Sequence, residues 1–315
     1  MTHPLAPLFN PRSIAIVGAS EKSTWTIVMR ACMAGYGFDG RIHAVNRGGV
    51  PVFGWPGHTS CTAIGEPVDA AYICVPFEGV ADALEDVGRA GIKAAVVLTS
   101  GYAETGPEGA RLQRELAERA TQLGVRMLGP NCLGFANIIT RTAITAIPPR
   151  GKLLPGRIGF VCQSGATAAE LLEFAQQQGV GISVFAATGN EAQVAIADVV
   201  DYLVDDPGTR VIMLFAETIR HADRFAAAAR RALAAAKPIV ALKVGSSELA
   251  ASVAKAHTGS MVGDDRVFDA ACRQLGIVRV HSLEDLVVTA ALLAHTGPLA
   301  PGGAGIASIS GGACT

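Results

Sequence analysis

Short apolar runs at residues 13–17, 41–45, 68–75 and 94–98 each close in a loop rich in glycine, serine, asparagine or proline. Stretches with helical periodicity follow at 24–35, 79–91 and 107–123. The rhythm restarts at 157–161 and continues through 182–187, 210–215 and 238–244, with helical stretches at 166–178 and 222–236. Runs that are apolar at every position, not at every second one, suit strands covered by helices on both faces. Strands separated by helices are joined by crossovers, which makes their sheets parallel. The sequence therefore predicts an α/β fold. A composition half hydrophobic and 17% charged, with 36 glycines, fits such buried sheets. At 315 residues the chain has room for roughly two domains, and the Pro/Gly-rich connector at 147–156 marks the boundary between them.

An open parallel sheet binds ligands at the carboxyl ends of its strands. In the first half the loops at that edge are 18–23, 76–79, 100–104 and 129–134. They contain Gly18, Ser20, Lys22, Pro76, Phe77, Ser100, Gly101, Asn131 and Cys132, with Val75 just before the second of them. The first loop has one of the three glycines of the dinucleotide fingerprint. The next strand ends in Asn46-Arg47, where a dinucleotide site would place a carboxylate for the ribose diol. A cation there suits a ribose phosphate instead, as in coenzyme A or NADP. Coenzyme A carries a 3′-phosphate and a pyrophosphate, which Ser20, Lys22 and Arg47 could meet.

In the second half, the strand 157–161 turns through Gln163, Ser164, Gly165 and Ala166 into a helix, a geometry that offers backbone N–H groups to an anion. Ser164 lacks the preceding glycine of a hydrolase nucleophile elbow, because position 162 is Cys. Asn190, Glu217 and His257 lie past the ends of three further strands. His257, with Thr258 and Gly259, sits on a Gly/Ser loop before another helix. A carboxylate bonded to one imidazole nitrogen fixes the tautomer and raises the nucleophilicity of the other. Glu217 is the candidate for that role. Each residue alone has an ordinary structural explanation; their shared place at strand ends makes them a candidate site.

Other classes fall away. A net charge of −1 gives no polyelectrolyte surface for nucleic acid or an anionic membrane. No apolar run has the ~18–20 residues of a membrane span, and residues 1–10 do not read as a signal peptide. The seven cysteines form no CxxC or Cys/His cluster, so we expect reduced thiols in a cytoplasmic protein and no metal site.

With these motifs in order, the sequence resembles the NDP-forming acyl-CoA synthetases (ADP-forming acetyl-CoA synthetase), relatives of the succinyl-CoA synthetase α subunit. The resemblance is carried by residues 13–20 (SIAIVGAS), 129–134 (GPNCLG), 163–166 (QSGA), Gly189-Asn190 and 256–260 (AHTGS). It implies a Rossmann-like CoA-binding domain at 1–145 and a flavodoxin-like ligase domain at 146–298, both with parallel sheets. Residues 299–315 would be the start of a third domain. His257 would be the phosphorylated histidine and Glu217 its supporting carboxylate. Gln163–Ala166, Asn190, Thr258 and Gly259 would bind phosphate. Coenzyme A would meet Gly18, Ser20, Lys22, Arg47, Val75, Pro76, Phe77, Ser100, Gly101, Asn131 and Cys132.

The implied reaction joins a carboxylic acid to CoA with ATP cleaved to ADP and phosphate, through acyl phosphate and phosphohistidine. ATP and Mg2+ would enter only through an ATP-grasp domain or subunit, which we do not find in these residues. The chain would then be one piece of a larger homo- or hetero-oligomeric ligase. Two positions depart from the family pattern: Arg47-Gly48 stands where Pro-Lys is usual, and Glu191 where Lys is common. The competing expectations are a non-catalytic CoA-sensing module of the same fold and an NAD(P)-dependent oxidoreductase.

Overall fold

A computed structural model describes residues 3–151, 153–244, 265–297, 302 and 305. The first sheet contains β1 (Ser13–Val17), β2 (Arg41–Val45), β3 (Gly57–His58), β4 (Ala70–Ile73), β5 (Ala94–Val97) and β6 (Arg126–Leu128). They are hydrogen-bonded in the order β3-β2-β1-β4-β5-β6, all parallel. This is the doubly wound order, whose direction reverses between β1 and β4. Every residue of β1, β4 and β5 is buried, so the apolar runs have no polar face to show.

The second sheet is ordered β13-β12-β11-β9-β10-β7-β8. Its parallel part is β9 (Pro155–Cys162), β10 (Ile182–Ala187), β11 (Val211–Ala216), β12 (Ile239–Lys243) and β13 (Val278–Arg279). Numbered from β9, that part has the flavodoxin-like order 5-4-3-1-2, with its reversal between β9 and β11. The expected parallel sheet carries one antiparallel addition. An antiparallel hairpin, β7 (Gly134–Asn137) and β8 (Thr142–Thr145), pairs with β10 and completes that edge. It precedes the Pro/Gly connector, so the second sheet draws on residues from before the linker.

Helices fill the crossovers: α2 (Thr24–Gly35), α3 (Val80–Arg89), α4 (Pro107–Gln122), α5 (Gly165–Gln177), α6 (Ile196–Asp205), α7 (Ala222–Ala234), α8 (Asp265–Leu275) and α9 (Leu283–Thr296). Local chemistry starts several of them. Ser23 and Ser282 accept hydrogen bonds from the N–H groups of Thr26 and Asp285, and Pro107 opens α4. A short N-terminal turn, α1 (Ala6–Phe9), was not expected from the sequence. Its Phe9 stacks on Tyr202 of α6 at 4.6 Å between ring centroids and meets the edge of Phe135 of β7 at 4.9 Å. The two sheets therefore share one apolar cluster. No helix among the described residues is long and apolar enough to cross a membrane.

At the outer edge of the first sheet, His43 on β2 is 4% exposed. Its Nδ1 is 3.4 Å from His58 Nε2, and its Nε2 is 3.5 Å from Glu66 Oε1. Burial lowers the His43 pKa, and the charges of His58 and Arg41 push the same way against Glu66. A depressed histidine is neutral when folded, so the stability it confers is present above the unfolded pKa of about 6.5 and is lost as pH falls through the folded value. Thermal melts of His43→Gln should lose less Tm than the parent between about pH 7.5 and 5.5. An equal loss in both would show that His43 is not titrating.

Candidate active site

The reversal between β9 and β11 opens a crevice, and the turn after β9 forms its floor. Ser164 is extended (φ −86°, ψ 123°) and caps α5, its Oγ accepting from Thr167 N at 3.3 Å and from Thr167 Oγ1 at 3.1 Å. The next N–H groups belong to the first turn of α5, where no intrahelical acceptor exists and the dipole favours an anion. A Cβ on Gly165 would stand 2.6 Å from Leu133, so glycine lets this turn approach the neighbouring loop.

Gln163 is buried, and its amide is committed to protein. Oε1 accepts from the N–H groups of Glu217 (2.6 Å) and Thr218 (2.9 Å), and Nε2 donates to the Thr218 carbonyl at 2.8 Å. The side chain expected to bind phosphate also fixes the loop that carries Glu217. Glu217 itself is 8% exposed and lines the crevice.

The cavity, about 300 Å3, is lined from both sheets. It brings together Ser100 and Asn131 from the CoA-type loops with Gln163, Ser164, Gly165, Ala166, Asn190 and Glu217. Sequence reasoning missed Trp25, Leu98, Leu133 and Arg220, which line it too. Two of these carried a signal: Trp25 is an exposed aromatic just after the phosphate-type turn, and Arg220 follows Glu217 on the same loop.

Asn190 joins the two halves. Its Nδ2 donates to Glu104 and to Gln113 Oε1 (2.9 Å), while its Oδ1 accepts from Asn131 Nδ2 at 3.2 Å. Its backbone N–H reaches the Pro130 carbonyl at 3.0 Å. Its neighbour Gly189 has φ +61°, and a Cβ there would lie 2.5 Å from both the Pro130 and Asn131 carbonyl oxygens. Glu104 also accepts from the N–H groups of Gly101 and Tyr102. Burial raises the Glu104 pKa, but the hydrogen bonds from Asn190 and these backbone groups outweigh it and hold the carboxyl below its ordinary range. The Asn190 side chain is thus a joint between the two halves.

The remaining CoA-type residues lie along the same edge of the first sheet but outside this cavity. Gly18 has φ +93°, and a Cβ would meet Val75 at 2.9 Å and the Cys74 carbonyl at 3.0 Å, a close approach at the β1/β4 reversal. Ser20 Oγ accepts from the Lys22 N–H at 3.2 Å, and the side chains of Lys22 and Arg47 are exposed to solvent. Pro76 is exposed, and Phe77 packs between Tyr102 and the backbone at Gly101. Cys132 lies deeper than the other residues of this edge. It is fully buried, with Sγ bonded to the Ala187 carbonyl (2.8 Å) and the Gly134 N–H (3.2 Å), and burial pushes the thiol up to about 12. Its side chain therefore packs the joint between the sheets. His257, Thr258 and Gly259 lie outside the described residues. No group of three or more His, Cys, Asp or Glu side chains among the described residues could hold a metal ion.

A doubly wound sheet with a phosphate-type turn, joined to a flavodoxin-like sheet whose crevice pairs a helix start with a carboxylate, defines a two-unit α/β protein with an anion-type site between its sheets. Comparison with known proteins agrees. Residues 12–138 match the model described as CoA binding domain, and residues 155–293 match the succinyl-CoA ligase like flavodoxin domain. Acetate–CoA ligase [ADP-forming] I of Archaeoglobus fulgidus is 38% identical over 91% of this chain and 41% of its own length. The alpha subunit of acetate–CoA ligase [ADP-forming] I of Pyrococcus furiosus is 34% identical over 89% of this chain and 61% of its own. The solved dinucleotide-forming acetyl-coenzyme A synthetase 1 of Ca. Korarchaeum cryptofilum, in complex with phosphate and ADP, superposes with a TM-score of 0.83. That match is 35% identical and covers 90% of this chain and 61% of the other. The chain belongs to the ADP-forming acyl-CoA synthetase family, as its CoA-binding and flavodoxin-like part. It spans between 41% and 61% of the length of these relatives.

Proposed function

We propose that the chain is the CoA-binding and phosphohistidine-carrying part of an acid–thiol ligase, working with an ATP-grasp domain or subunit. The carrying observation is the convergence, in one crevice, of the α5 start and Glu217 with the Ser100 and Asn131 loops of the CoA-type sheet. Coenzyme A is held by the first sheet's edge, so its thiol end can be presented where phosphate is bound. In the synthetic direction His257 receives the γ-phosphoryl of ATP, and the substrate carboxylate takes it to give acyl phosphate. The CoA thiol then displaces phosphate and forms the thioester. The chain's own contribution is positioning and charge stabilisation: backbone N–H groups at a helix start for phosphoryl oxygens, and Glu217 to orient the imidazole. ATP and Mg2+ belong to the ATP-grasp partner.

The reverse direction tests this reading. The chain and its complementing ATP-grasp subunit, given acyl-CoA and radiolabelled phosphate, should acquire an acid-labile, base-stable label that His257→Ala abolishes. CoA binding with no label would make the chain a CoA-sensing module instead. Tight NAD(H) binding without CoA binding would overturn the CoA assignment.

A further inference from the structure

Arg220 is the only cationic side chain among the described residues that line the crevice. Its side chain is 25% exposed, and its Nε is buried without a hydrogen-bond partner among the described residues. That Nε faces Glu191 Oε2 at 3.7 Å, an ion pair too long for a hydrogen bond. Glu191 is held from behind. Its side chain is 1% exposed, its backbone takes φ +57°, and its Oε1 accepts from Thr188 Oγ1 (2.8 Å) and Ile196 N (2.9 Å). Its Oε2 has no hydrogen-bond partner among the described residues.

The arrangement therefore sets a fixed carboxylate behind a guanidinium at the mouth of an anion-type site. A guanidinium has five N–H donors in a fork that matches phosphoryl oxygens, and here the buried Nε is not used in a hydrogen bond among the described residues. The departure from lysine at position 191 acquires a reason: a cation at 191 would repel Arg220, whereas the glutamate aims it.

We propose that Arg220 grips the phosphoryl oxygens of the group bound at the start of α5, with Glu191 positioning its guanidinium. This rests on the ligase reading above and adds a residue to it. Inorganic phosphate and, separately, CoA should be titrated calorimetrically into the full chain and into R220Q and R220K. Charge-assisted contacts of this kind predict a loss of phosphate affinity of about ten- to a hundredfold in R220Q. R220K, which keeps the charge without the fork, should lose about three- to tenfold. CoA affinity should not change in either, and R220K should melt closer to the parent than R220Q, which leaves Glu191 buried without its cation. Phosphate bound by R220Q as tightly as by the parent overturns the assignment, as does a parent that binds CoA but no phosphate. If R220Q does not fold, unchanged affinity in R220K overturns it. A parent that binds no CoA counts against the ligase reading itself, whatever Arg220 does.

Discussion

Gln163→Ala is expected to lower the Tm by about 6–10 °C, corresponding to about 3 kcal/mol. The reason is a count of partners. The substitution strips the acceptor from two backbone N–H groups, those of Glu217 and Thr218, and the donor from the Thr218 carbonyl. Gln163 is 6% exposed, so water does not readily replace what is lost, and each unmatched buried group costs about 1–3 kcal/mol. The same three bonds hold the Glu217 loop against the β9 turn, so phosphate affinity should fall with stability. CoA affinity should be spared, because its loops hang on the other sheet. Thermal melts and the two titrations check this. A melt within about 1–2 °C of the parent would mean that Glu217 is held by something other than this amide.

Gly134→Ala should be more severe, costing at least about 4 kcal/mol and in practice preventing a native fold. Gly134 begins β7 with φ +90°, and a Cβ built on it would stand 1.9 Å from the Ile144 carbonyl oxygen on the paired strand. The obstacle is backbone, so no side-chain rotation relieves it; the hairpin must leave β10 or the turn must unwind. Gly124→Ala separates strain from collision. Gly124 also has positive φ (+68°), but nothing lies within 4 Å of its would-be Cβ, so that variant should lose only about 1 kcal/mol. Soluble yield, circular dichroism and melts of the pair decide it. Similar losses at both positions would show that the short contact relaxes easily.

Much of this fold was legible because a strand buried on both faces leaves an uninterrupted apolar run, as at 70–73, 94–97 and 211–216, and because loops at the carboxyl edge of parallel strands keep their own chemistry. What was not legible depended on distant partners. Residues 142–145 (TAIT) carry no period that marks a hairpin, and only pairing with β7, which itself pairs with β10, makes them a strand. Asn190 and Gln163 read as ligand groups by residue type, but their amides also tie the fold together, through Glu104, Gln113 and Asn131 in one case and the 217–218 backbone in the other. Cys132 sits in a loop motif that the resemblance assigns to CoA, and only the fold shows its side chain bonded to the neighbouring strand at Ala187. Arg220 gained meaning only when folding set Glu191 behind it. The histidine loop at 257, the most distinctive stretch of the sequence, is outside the described residues, so its place rests on family resemblance.

The aromatic contact of Phe9 with Phe135 and Tyr202 bears on whether the two sheets can be parted. Leu8 and Phe9 are fully buried, and the cluster they belong to takes side chains from both sheets. A chain divided between the sheets would bare apolar surface on both parts and is expected to lose solubility.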